Sequence, residues 1–125
     1  MKHFAWLPFL FLAASVSPTY ATSAEPSEVS SASVDLDRAE SELNRAFREL
    51  TAKLNQPGPG MSEHHAQAKK SLVRAQRAWL TFRDRDCDAV FDMADGTSKA
   101  ALSTSCLAER DLQRAKELRD MANGL

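Results

Sequence analysis

Three stretches of the chain repeat apolar side chains at helical spacing. Leu36, Ala39, Leu43, Phe47, Leu50 and Leu54 step by three or four residues. They share one helix face and leave Asp37, Glu42, Arg45, Arg48 and Lys53 for water. Ser33 or Asp35 can cap this helix, which is predicted to run to about Asn55. Pro57, Gly58, Pro59 and Gly60 then suit neither helix nor strand interior and end it. A second stripe, Leu72, Ala75, Trp79 and Phe82, flanked by Gln76 and Arg83, predicts a long helix from Ser62 to about Met93. Asp95-Gly96 signals a turn, after which Thr97 or Ser98 can cap a third helix. Its apolar face is read as Leu107, Leu118 and Met121, with Arg114 between and Leu112 and Ala115 widening it. Ser103, Thr104 and Ser105 compete for backbone groups, so a short turn is expected before a firmer helix over about 105–121. The pattern predicts an all-α fold, a three-helix antiparallel hairpin bundle.

The two cysteines, Cys87 and Cys106, lie symmetrically about the Gly96 turn. Two helices folding back there bring the sulfurs level, and a single disulfide is expected. Closing that loop stabilises by about 3 kcal/mol in the chain-entropy treatment. The same register sets Trp79 opposite Arg114, Gln76 near Glu117, and Arg83 within a turn of Glu109.

Lys2 and His3 precede an apolar run over residues 4–16, too short for a stable membrane anchor. Thr19-Tyr20-Ala21 then resembles a cleavage site, with a second at Ala24. Residues 1–21 are therefore read as a secretory signal, residues 22–33 as a disordered Ser-rich leader, and residues 34–122 as the helical domain. No cysteine follows the signal to take a lipid, so no stable membrane anchor is expected after cleavage, and the destination is periplasmic or secreted. Export also suits the disulfide. The formal net charge of −1 becomes one unit more negative when Lys2 is lost, a balance that argues against nucleic acid as partner.

Candidate chemistry is sparse. The only histidines beyond the signal, His64 and His65, are adjacent, and no Ser-His-Asp set can be assembled. Neighbouring helix positions point about 100° apart, so Glu63, His64 and His65 make a poor zinc or copper site. Asp84, Asp86 and Asp88 imitate the opening of a calcium loop, but Ala89 and Asp95 stand where that loop needs Gly and Glu. These acids read as a solvated cluster. The chain is expected to be no enzyme and to hold no metal or cofactor.

Leu43-Asn44-Arg45-Ala46-Phe47, then Gln76, Trp79, Phe82, Arg83, Asp84 and Cys87, then Cys106-Leu107, Glu109, Arg114 and Leu118 resemble the LprI-like lysozyme-inhibitor family of small exported bacterial proteins. The likeness spans about residues 36–118. With the register, it marks Gln76, Trp79, Arg83, Glu109, Arg114 and Leu118 as the structural anchor. This chain lacks the extra cysteines many members carry near the start of the domain, and has Asp111 where the family usually has Thr. The resemblance implies an all-helical envelope protein that binds a protein partner, lysozyme for the family's namesake. Asp84, Asp86, Asp88, Asp92 and Asp95, gathered near the hairpin tip, are then the candidate contacts for a basic partner. The rival reading is an envelope interaction or stress protein with another target and no inhibitory activity.

Overall fold

The computed structural model describes residues 26–56 and 62–125. Three α-helices make up almost all of this: α1 Pro26–Leu54, α2 Ser62–Met93 and α3 Lys99–Asn123. A single 3-10 turn, Gly96–Ser98, joins α2 to α3. The signal residues 1–21 lie outside the described residues. So do residues 22–25 of the expected leader.

The limits of α2 are those the breakers and caps predict. The other two helices differ from expectation. α1 starts at Pro26, not near Ser33, so the serine-rich stretch from 26 onward is helical. A proline suits the first helical position, where its missing N–H is no loss, and Glu28 complements the positive end of the helix dipole. The serines do not break the helix because their hydroxyls turn inward on it: Ser31 Oγ donates to the Glu28 carbonyl and Ser33 Oγ to that of Ser30. α3 is likewise continuous through residues 103–105. Thr104 Oγ1 donates to the Ala100 carbonyl, while Ser103 Oγ reaches across to the Cys87 carbonyl of α2. Those two hydroxyls are occupied without interrupting the helix. Ser98 makes no side-chain capping bond, since the 3-10 turn feeds straight into α3. Gly96 has φ +76°, a left-handed conformation that only glycine adopts without strain.

α1 and α3 form the principal contact, α2 packs chiefly on α3, and α1 and α2 scarcely touch. The C-terminal ends of α1 and α3 lie together, because Lys53 Nζ donates to the Ala122 carbonyl at 2.6 Å. These two helices therefore run parallel, with α2 antiparallel to both. A cation on the last carbonyls of α3 also favours that helix end. Arg119 of α3 bonds Glu42 of α1 at 3.3 Å.

Between them the core is built from Leu43, Leu50, Leu54 and Leu118 and from two alanine series, each spaced by seven: Ala32, Ala39, Ala46 and Ala108, Ala115, Ala122. Small residues at that repeat allow close approach of the two helices. This alters the expected inner faces. α3 buries Ala108, Asp111, Ala115, Leu118 and Ala122, whereas Leu112 and Met121 are exposed and Leu107 is half-buried. On α2, Phe82 is 57 % exposed and Ala75 is also outside the core. The line that α2 turns toward its neighbours is Gln76, Leu80, Arg83 and Cys87, and Phe82 falls to one side of it. Trp79 and Phe47 cover the rim of the core.

Enlarging a residue of the alanine series should therefore cost more than deleting an aromatic ring outside. Ala115→Leu is expected to lose about 1–3 kcal/mol by overpacking. Phe82→Ala should stay within about 0.5 kcal/mol. Urea unfolding followed by circular dichroism compares the two.

Candidate functional site

The α2–α3 seam carries most of the chemistry-bearing side chains. Cys87 and Cys106 form a disulfide, with Cα atoms 5.7 Å apart and Cys87 buried. One turn toward the bundle interior, Arg83 Nη1 donates to both carboxylate oxygens of Asp111, at 2.8 and 3.0 Å. Its Nε and Nη2 donate to Asp84 Oδ1 at 2.9 and 2.7 Å. The Asp111 side chain is fully out of water and that of Arg83 is 13 % exposed. Trp79 lies between two cations, with the guanidinium carbons of Arg83 and Arg114 each 5.9 Å from its ring. Arg114 Nε donates to Gln76 Oε1 at 3.1 Å and Nη1 to Glu117 at 2.8 Å. The result is one connected network from Asp84 to Glu117 running along the seam.

Glu109, expected within a turn of Arg83, does not pair with it: Glu109 is exposed, enters no ion pair among the described residues, and Asp111 takes its place. The inner face of α3 steps through Ala108, Asp111 and Ala115, and Glu109 is turned about 100° from Ala108. A buried aspartate is hard to foresee from a stripe of apolar positions. The one available signal was its spacing, three before Arg114 and seven before Leu118.

Burial raises the Asp111 carboxyl above its ordinary range; the Arg83 hydrogen bond and charge pull it back, and Asp84 adds to the rise. Burial lowers the affinity of Arg83 for its proton, but Asp111 and Asp84 outweigh it and leave the guanidinium more firmly protonated. A carboxyl whose folded-state pKa is raised binds its proton more readily folded than unfolded. Its stability contribution is complete below the unfolded value and is lost as pH rises through the folded one.

The five tip acids divide. Asp84 is held by Arg83, and Asp86 by Arg110, whose Nε and Nη2 reach it at 2.8 and 2.7 Å. Asp88 lies 3.6 Å from Arg85 across open solvent. Asp92 and Asp95 are exposed and enter no ion pair among the described residues. Around them Phe91, Met93 and Leu102 are exposed, Met93 by 77 %. Lys99 Nζ sits 4.8 Å above the Phe91 ring. The Asp86 carboxylate lies within 4.8 Å of both cysteine sulfurs, but sulfurs joined to each other offer no thiolate, so this is not a metal site. His64 is exposed, and both ring nitrogens of His65 are buried without a hydrogen-bond partner.

Fold and seam together define a class: an all-α domain whose helical hairpin is clamped by one disulfide and by an arginine–tryptophan–arginine network. The pattern described as "Lysozyme inhibitor LprI" matches residues 19–118, and the chain belongs to that family. It is 32 % identical over 91 residues to an uncharacterized protein of Rhizobium meliloti (strain 1021), covering 70 % of this chain and 66 % of that one. It is 28 % identical over 86 residues to the uncharacterized protein YecT of Escherichia coli (strain K12), covering 63 % and 52 %. The chain thus spans just under two thirds and about half the length of these relatives. No solved structure matches it significantly.

Removing the buried acid should be felt strongly at neutral pH. Asp111→Ala leaves Arg83 Nη1 without its acceptor and Asp84 as the remaining charged partner, and is expected to cost about 1–3 kcal/mol. Asp111→Asn keeps an acceptor oxygen toward Arg83 and should cost no more than about 1 kcal/mol. As pH falls below neutral, the raised Asp111 pKa should shift the difference between the native chain and Asp111→Asn in favour of the native chain. Chemical denaturation of the three proteins across a pH series reads each outcome.

Proposed function

We propose that this chain is an exported protein that binds and inhibits a lysozyme-type muramidase and performs no chemistry itself. Membership of the lysozyme-inhibitor family over residues 19–118 carries the reading. Two further features support it. The apolar run at residues 4–16 and the small residues after it suit a secretory signal. The disulfide suits an oxidising compartment, and no helix among the described residues is long and apolar enough to cross a membrane.

The end of the hairpin is the part of the seam best suited to contact. Asp92 and Asp95 enter no ion pair among the described residues, and beside them Phe91, Met93 and Leu102 offer apolar area at a clamped tip. Lysozymes are commonly basic enzymes that cleave with two carboxylates in a cleft. Unpaired acids would steer such a partner, and the apolar residues would hold it once docked. Asp84 and Asp86 are less suited, because pairing to Arg83 and Arg110 already uses them within the domain.

Turnover of cell-wall substrate by lysozyme, measured with the purified chain after signal removal, tests the proposal. Inhibition at micromolar excess is expected. Asp92→Lys with Asp95→Lys should weaken it by about tenfold or more, chiefly through a slower on-rate and most at low salt. Lysozyme turnover unchanged by the native protein would remove the inhibitor reading and leave an envelope protein with another target.

A further inference from the structure

α1 and α2 scarcely touch, and a trough runs between them, lined by residues of 43–55 and 66–80 and by none of α3. Its wider section, about 740 Å³, lies between the end of α1 and the first half of α2, floored by Leu54, Ala66 and Val73. A second section, about 290 Å³, shares Val73 and continues along Leu43, Phe47 and Leu80. From Ala66 to Leu80 the trough extends about 20 Å along α2. Lys69, Lys70, Arg74 and Arg77 stand along the α2 side, and among the described residues no carboxylate lines either section. Lys69 is turned to Asn55, just past α1, while Lys70, Arg74 and Arg77 are exposed and enter no ion pair among the described residues.

We propose that this trough seats an acidic amphipathic helix of a partner protein. Its apolar face would lie on Phe47, Val73 and Leu80, with its carboxylates against Lys70, Arg74 and Arg77. Three features select this occupant. The trough is open and elongated, the shape in which an amphipathic helix lies in a groove. In a bundle of three helices it is also the position a fourth would fill. Finally, the cations are spread along the rim, one or more at each turn. A single-headed amphiphile would need positive charge at one end only, whereas a helix with acids at every turn meets them all. This surface lies at the opposite end of α2 from the acidic tip, so the inference stands apart from the muramidase reading.

A labelled synthetic helix of about 14 residues, with Leu along one face and Glu elsewhere, is the probe, titrated against the chain after signal removal. Fluorescence anisotropy is expected to show micromolar binding that falls about tenfold or more in Lys70→Glu/Arg74→Glu/Arg77→Glu. Lys116→Glu, on the exposed face of α3, should bind as the native chain does. Circular dichroism melts establish that both variants fold. Absence of binding, equal binding to the triple variant, or equal binding of the same peptide with Lys in place of Glu would overturn the proposal. So would sedimentation showing that the chain self-associates through these same cations, since the trough would then belong to a second copy. Binding to vesicles of anionic phospholipid, lost in the triple variant, without binding to the peptide would assign the surface to a membrane and overturn it equally.

Discussion

The placement of α2 depends on its polar seam with α3. α1 and α3 are held by ordinary burial of leucines and alanines. α2 has little of that: Gln76 and Cys87 are its only buried residues among the described side chains. What fixes it is the disulfide, the Arg83–Asp111 pair beside it, Asp86–Arg110 on the flank and Arg114–Gln76 farther along. Hydrogen-bonded ions in a dry seam are poor sources of net stability, because desolvation offsets most of the attraction. They are demanding about geometry, however. A slip of one residue between α2 and α3 would strand Asp111 and separate the sulfurs. The seam thus secures the register, and the covalent link supplies the stability it lacks.

This division of labour explains where the molecule is closed and where it is open. Every strong tie from α2 to α3 starts from the stretch of α2 between Gln76 and Cys87, toward the hairpin end. The first turns of α2 have only weaker holds, among them Lys69 on Asn55 and the packing of Leu72 at the core rim. Segments with few buried contacts open most readily. The bundle is therefore rigid at the acidic tip and looser at the basic end.

The elements legible in the sequence were those set by strong local rules. Proline and glycine at 57–60 and at Gly96 bounded α2, the 3.6-residue period gave three helices, and symmetry of the cysteines about the turn set the register. What was missed followed from contacts between helices. Weighting large apolar residues drew attention to Phe82 and Met121, whereas closeness of α1 and α3 selects alanines and sends larger side chains to the rim. Asp111 was read as a departure from the usual family residue, and only the fold shows why a carboxylate there is useful: buried itself, it accepts from the guanidinium of Arg83. The serines at 30–33 were read by composition, which does not register a hydroxyl bonding back along its own helix. For the acidic tip, the sequence showed the charge, but the arginine of α3 that neutralises Asp86 was visible only across the seam.

The charges of α2 run against the preference of the helix that carries them. Residues 64–83 hold Lys69, Lys70, Arg74, Arg77 and Arg83 and no acid, while Asp84, Asp86, Asp88 and Asp92 fill the C-terminal turns. No basic residue occupies the last turn. A helix dipole favours the reverse, cations at its C-terminus and anions at its start, by about 0.3–1 kcal/mol per group. Glu63 in the first turn is the one residue of this series that obeys. Local stability accounts for neither half of the arrangement, and pairing within the fold accounts for Asp84, Asp86 and Arg83 and, more loosely, for Asp88 and Lys69. The charges left over, Lys70, Arg74 and Arg77 at one end and Asp92 and Asp95 just past the other, flank two surfaces where apolar side chains lie open. Separating charge in this way costs the helix part of its own stability, and the two docking surfaces proposed above, one acidic and one basic, would each draw on it.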